Sequence, residues 1–292
     1  MRIAAEVERA VADRNRHGTG GGTSARVLAS GEGWTVADVV CTSGPQDRPF
    51  EESHDYYSIA LVTAGTFQYR ARKGAALLTP GSVMLGNAGQ CFECGHEHAA
   101  GDRCLAFLYA PVFFEQIAAD VGGRSRSLEF RTVSIPSVKE LSPLVSHACA
   151  GLLGAPTVDW QELALSVAGH ALRLANGVTT DDIPAGAGER VTRVVRAIEQ
   201  DLDGALTLDR LAGESQLSQF HFLRTFERIT GLTPHRYVLR ARLREAATRL
   251  EKEDRRVLDI ALDCGFGDVS NFNRAFRAEF GMSPRTYRKA RA

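Results

Sequence analysis

Two stretches near the end of the chain, "FHFLRTFERITGLTPHRY" and "VSNFNRAFRAEFGMSPRTY", carry one pattern twice. The matched residues are Phe222/Phe272, Arg224/Arg274, Phe226/Phe276, Gly231/Gly281, Pro234/Pro284 and Tyr237/Tyr287, each pair fifty residues apart. A fixed period means one supersecondary unit used twice. Within a copy the two phenylalanines stand at i and i+4, the spacing of a helix face that turns to a core. The glycine after them suits the left-handed residue that ends a helix. A shorter apolar-periodic segment precedes each copy, and in the first a break of three or four residues at Ser215 to Leu217 separates the two helices. Ala212 and Ala261 are small where paired helices must cross closely. The spacing predicts two helix-turn-helix units joined by a helix over residues 235–250, about 24 Å long.

The phenylalanines account for the buried side of each unit. On the other side stand Gln219, His221, Arg224, Thr225 and Arg228 in the first copy, and Ser270, Asn271, Asn273, Arg274 and Arg277 in the second. Arg forks toward guanine, Asn and Gln toward adenine, and hydroxyls reach phosphate, so these faces suit duplex DNA. Charge agrees once it is divided. The chain is formally neutral, with 35 Lys+Arg and 35 Asp+Glu, but from Arg190 onward it has 20 against 14 and before it 15 against 21. A basic half and an acidic half predict a nucleic-acid partner for the former. With the long helix as spacer, two reading helices about 34 Å apart would enter successive major grooves. A helical module that docks a protein partner is the alternative.

A chain of 292 residues has room for a second domain. From Val27 to about Tyr109 short apolar or alternating runs are divided by Gly and Pro, among them "WTVADVV", "YSIALVTAG", "TFQYR" and "CLAFLYA", which predicts a β-rich barrel or sandwich. "PVFFEQIAADVGG" reads as a short helix, "EFRTVSI" as a strand, and Ser137 to Leu153 with Val158 to Ala175 as an antiparallel helical hairpin around "GAPT". Leu163, Val167, His170, Ala171 and Leu174 form one stripe of that hairpin, a packing face and a candidate dimer surface. "NGVTTDDIPAGAGE" reads as a linker. No apolar run approaches the roughly 18 residues of a membrane span, and the first residues lack a signal core. A cytoplasmic location is expected, with the irregularly spread cysteines 41, 91, 94, 104, 149 and 264 as reduced thiols.

"DIALDCGFGDVSNFNRAFRAEFGMSPRTYR" closely resembles the signature of the AraC (arabinose-regulator) family of bacterial transcription regulators, and the first copy resembles that family's other half. The likeness covers about Glu189 to Arg291. It implies that Gln219, Phe220, Leu223 and Arg224 in the first unit, and Val269, Ser270, Asn273 and Arg274 in the second, read bases, with Leu223 meeting a thymine methyl where a polar contact is common. Asp268 is expected to cap its helix. "HDYYSIALVTAGTFQYR" and "LLTPGSVMLGNAGQCFEC" look like strands of the family's cupin-like effector domain. The enzymatic cupin metal motif is reduced here to His54. The resemblance implies an α+β protein of two domains: a cupin-like β-barrel with a helical hairpin, and an all-α domain with two helix-turn-helix units. The divisions are a flexible segment 1–25, a sensing and dimerising domain 26–176, a linker 177–188 and a DNA-binding domain 189–292. The expected protein is a homodimeric regulator, in the activator mould, that binds promoter or operator DNA and meets RNA polymerase. Its effector is a small molecule, a metal or a redox signal. A metal-dependent cupin enzyme fused to a DNA-binding domain is the alternative.

The acidic half holds "CFECGHEHAAGDRC", from Cys91 to Cys104. A DNA-reading zinc finger needs roughly a dozen residues between its cysteine and histidine pairs, and His96 follows Cys94 by two, so no finger fits. Were residues 94–98 extended, Cys94, His96 and His98 would share a face, with Cys104 on the next strand. The cluster admits three chemistries. It can bind zinc or another soft metal through Cys94, His98 and Cys104 with His96 or His54. It can place Cys94 and Cys104 as small buried hydrophobes beside solvated histidines. It can form a Cys94–Cys104 disulfide as a redox sensor. No cofactor is required by the DNA-binding reading.

Overall fold

In the computed structural model, which describes residues 3–120, 129–155, 158–175 and 186–291, the alternating runs of the acidic half pair into two antiparallel sheets. After helix α1 (Ile3–His17) come β1 (Thr23–Gly31), β2 (Trp34–Cys41), β3 (Phe50–Ser53), β4 (Tyr57–Gly65), β5 (Phe67–Ala71), β6 (Gly74–Leu78), β7 (Val83–Gly86), β8 (Cys91–Gly95) and β9 (Asp102–Tyr109). Then follow α2 (Pro111–Asp120), β10 (Ser134–Ile135), α3 (Ser142–Leu152) and α4 (Trp160–Leu174). One sheet has the order β1-β2-β9-β4-β7-β10 and the other β3-β8-β5-β6. β4, inside the six-stranded sheet, is buried on both faces, which is why "SIALV" is apolar at every position after its serine. Ile59 and Leu61 of β4 turn with Leu105 and Phe107 of β9 toward α2, α3 and α4. Ala60 and Val62 turn with Cys104 the other way, onto Phe67, Tyr69 and Leu78 of the smaller sheet.

The basic half is helical throughout: α5 (Ala187–Gln200), α6 (Leu208–Ser215), α7 (Gln219–Thr230), α8 (Pro234–Lys252), α9 (Val257–Asp263), α10 (Val269–Phe280) and α11 (Pro284–Arg291). The sequence repeat reappears as a repeat of packing. Phe226 meets Tyr237 edge-on with ring centroids 5.4 Å apart, and Phe276 meets Tyr287 at 5.4 Å in the same manner. Each unit has its own core. Phe222 and Phe226 pack with Leu211, Ala212 and α5 residues Val191, Val194 and Ile198; Phe272 and Phe276 pack with Ile260, Ala261 and α8 residues Leu243, Ala246 and Leu250. Gly231 and Gly281 close α7 and α10 at φ 71° and 76°, where a Cβ would be strained.

Four expectations change. The segment 1–25 contains α1, whose Ile3 and Val7 enter the main core while Glu6 pairs with Arg103, and β1 begins within it. The strand "EFRTVSI" shrinks to Ser134–Ile135, paired with β7. Leu163, Val167 and Ala171 of the hairpin stripe are buried inside this chain against the large sheet, and His170 and Leu174 are half-buried. Burial within the chain removes the first three from any dimer surface. Residues 177–185 of the linker and the last two residues of "GAPT" lie outside the described residues, and Ala187 and Gly188 already belong to α5.

Candidate nucleic-acid interface

The second helix of each unit is held by caps that its own sequence supplies. Ser218 caps α7 by accepting the His221 N–H, and Asp268 caps α10 by accepting the Asn271 N–H at 2.7 Å. Gln216 takes a left-handed conformation, φ 55°, to make the turn between α6 and α7; Gly265, φ 83°, serves between α9 and α10. The burial pattern of residues 221–230 is repeated residue for residue over 271–280. Gln219, Phe220, His221, Arg224 and Arg228 are exposed on α7, and Ser270, Arg274 and Arg277 on α10. Leu223, Val269 and Asn273 are half-buried beside them.

The two faces differ in detail. Phe220 is 64% exposed, and the Arg224 guanidinium lies 5.7 Å from its ring centroid, a cation–π contact that holds the arginine over an aromatic. Gln219 donates to Asp209 of α6. On α10, Arg274 donates to Asn271 Oδ1 at 3.1 Å, which pre-aims its fork. Arg236, Arg285 and Lys289 are also exposed.

The basic residues of α8 do a different job from the one their charge suggests. Arg242 donates from all three nitrogens, to the carbonyls of Leu202 (2.9 Å) and Gly204 (2.7 Å) before the first unit and of Gly265 (2.8 Å) in the turn of the second. One guanidinium thus ties the two units together. Arg240 donates to the Ser137 carbonyl and pairs with Glu279 of α10 at 3.0 Å, while Arg244 reaches Ser137 Oγ and the Pro80 carbonyl, each at 3.1 Å. These two arginines join α8 to the β domain. α3 also lies along α8, where His147 Nδ1 is 2.8 Å from Glu251. Nothing in the spacing of the arginines along one helix distinguishes the pair that points to the β domain from the others.

The cysteine and histidine residues of the β domain divide into three places. His54 stacks on Phe92 at 4.1 Å with Nε2 2.8 Å from the Tyr69 hydroxyl, and burial lowers its pKa to about 4. His98 lies apart, with Nε2 3.4 Å from Gln68 Nε2 and 3.8 Å from Glu97. Cys94 and Cys104 line the core between the sheets, where burial pushes both thiols well above their usual pKa, and Cys91 is exposed. β8 ends at Gly95, so the extended 94–98 face does not form. His96 instead joins Asp102 and a residue that proximity in sequence could not nominate, Cys41. Burial and the Asp102 carboxylate raise the Cys41 pKa, but His96 and the Ser43 hydroxyl together outweigh them and leave it lowered; His96, opposed by burial, is carried to about 9 by Asp102 and Cys41.

Fold and surface together define a β-rich receptor domain on a double helix-turn-helix unit. A model of a helix-turn-helix domain matches residues 211–290, and one of an AraC-like ligand-binding domain matches 39–172. The HTH-type transcriptional activator RhaS of Klebsiella pneumoniae (strain 342) is 37% identical over 267 residues, covering 85% of this chain and 90% of that protein. The transcriptional activator NphR of a Rhodococcus species is 29% identical over 275 residues, 82% of this chain and 72% of that one. A solved AraC-type transcriptional regulator from Chromobacterium violaceum is 30% identical, with 37% of this chain and 96% of its own covered, at a TM-score of 0.35. The chain belongs to the AraC family of transcription regulators, as a DNA-binding regulator with an N-terminal ligand-binding domain.

Proposed function

We propose that this regulator is an activator that acts as a homodimer in the cytoplasm, contacts RNA polymerase at promoter or operator DNA, and reads two successive major grooves with α7 and α10 of each subunit. The observation that carries the reading is the twofold repeat of an exposed polar face on capped helices around a buried phenylalanine pair. RhaS and NphR, both named as activators, support the direction of control. No helix among the described residues is long and apolar enough to cross a membrane. Base contacts come from Gln219, Phe220, Leu223 and Arg224 and from Val269, Ser270, Asn273 and Arg274, with His221, Arg228 and Arg277 at the phosphates. The effector enters through the β domain, and the relatives, all regulators, support sensing over catalysis there.

Selection from random duplex DNA by the full-length protein, followed by binding of the enriched sequence over a range of salt, tests this. A two-part site with half-sites about one helical turn apart is expected. Equal affinity for enriched and scrambled duplexes would overturn sequence-specific reading.

A further inference from the structure

We propose that Cys41, His96 and Asp102, with Cys104 as fourth donor, form a site for a borderline-soft divalent cation, for which zinc is the best match. The first three offer ligand atoms that all lie within 4.8 Å of one another, and the residues are 4%, 6% and 5% exposed. His96 Nε2 is 2.6 Å from Asp102 Oδ1, and the Cys104 thiol donates to Asp102 Oδ2 at 3.4 Å. Sulfur, imidazole and carboxylate in one buried place is the donor set of zinc rather than of calcium or magnesium, which take oxygen alone. Tetrahedral zinc, with bonds of about 2.0 to 2.3 Å, separates its ligand atoms by roughly 3.3 to 3.8 Å. The Cys104–Asp102 spacing already fits, and the imidazole–carboxylate pair must open from 2.6 Å by about 0.7 Å or more.

The site is also built in advance. Cys41 and Asp102 are register partners in β2 and β9, so the sheet sets their spacing. His96 is delivered by the loop between β8 and β9, which closes at Gly101 with φ 81°; a Cβ there would come within 2.6 Å of Val11 and 2.8 Å of Val7 in α1.

The same loop faces the DNA-binding domain. The Ala100 carbonyl accepts from Arg196 of α5, and Gly65, the register partner of Asp102 in β4, donates its N–H to Glu199 of α5 at 3.1 Å. A bound cation would fix the loop on which α5 rests. Binding releases protons from Cys41, Cys104 and the His96 ring, so affinity rises with pH.

The test uses the full chain, stripped with a chelator and titrated with zinc against a chromophoric competitor, then with cobalt as a spectroscopic probe. One ion per chain is expected, with a thiolate-to-cobalt charge-transfer band and the visible spectrum of four-coordination. Cys41→Ser and His96→Gln should each weaken binding at least tenfold. His98→Ala and Cys91→Ser, outside the site, should bind as the parent does. The cobalt spectrum of the parent chain needs no variant and so survives a folding failure of Cys41→Ser. No stoichiometric ion, a cobalt complex without the thiolate band, or binding lost in His98→Ala and kept in Cys41→Ser would overturn the proposal. None of these readouts depends on DNA binding.

Discussion

Arg224 and Arg274 occupy the same place in their copies but not the same surroundings. Arg274 is aimed by Asn271 at 3.1 Å, whereas Arg224 lies over the Phe220 ring. Arg274→Ala should therefore cost about 1 to 3 kcal/mol on the selected site and relax preference at one base pair, as read by binding to single-position variants of the duplex. Uniform weakening on all DNA would place it on phosphate instead. A buried residue answers to pH. His54 stays neutral in the fold down to about pH 4, while in the unfolded chain it takes a proton below its ordinary 6.5. Its folded pKa is the lower, so stability is lost as pH falls from 6.5 toward 4, by at most about 3 kcal/mol. Denaturant unfolding across that range should show a shallower acid limb in His54→Gln, by up to one proton.

At the scale of elements, a cap and a core residue of α10 should separate cleanly. Asp268→Ala removes the bond to the Asn271 N–H and should cost about 1 kcal/mol, loosening the turn that carries Ser270. Phe276→Ala empties the centre of the second core and should cost about 3 to 5 kcal/mol in thermal or denaturant unfolding. The helices, the Asp268 cap and the closing glycines Gly231 and Gly281 were legible in the sequence, because helical spacing and terminal residues are local chemistry; the Ser218 cap of α7 came from the structure. The role of α8 was not legible. Its arginines raise the charge of the basic half, yet Arg242 bridges three carbonyls and Arg240 and Arg244 face the β domain. Arg242→Ala should leave half-site binding nearly intact while weakening a two-part site by about 1 to 2 kcal/mol, roughly tenfold. Lysine, with a single ammonium, should not restore it. Equal losses on half-site and full site would show that Arg242 contributes stability rather than spacing.

For the whole molecule, the two domains meet through α1, α3 and α5 as well as α8. Ser142 of α3 donates to Glu279 of α10, which also pairs with Arg240, so the receptor half touches a recognition helix through one carboxylate. Glu199 of α5 accepts the Gly65 N–H across the seam, and desolvation lifts its pKa from 4.5 to about 7. A carboxyl with the higher pKa in the fold stabilises below 4.5 and loses that contribution as pH rises through about 7. Glu199→Gln keeps the acceptor and removes the charge. It should be the more stable protein at pH 8, with the difference gone near pH 4.5, as measured by unfolding at each pH.

The sequence alone determined the double helix-turn-helix unit, its Asp268 cap, its polar faces and the split of charge, because helical spacing and terminal residues act within a few positions of one another. The runs "WTVADVV", "YSIALVTAG", "TFQYR" and "CLAFLYA" became β2, β4, β5 and β9, whereas "EFRTVSI" kept only Ser134 and Ile135 as strand. Tertiary structure decided which arginines face protein, that α1 is part of the core, and where the cysteine–histidine cluster closes. Of "CFECGHEHAAGDRC", it set His96 and Cys104 each beside Asp102 and left His98 apart. Cys41, fifty-five residues upstream of His96, joins them because the pairing of β2 with β9 brings it opposite Asp102. Register across a sheet is a long-range choice made by the whole core, and no local pattern records it.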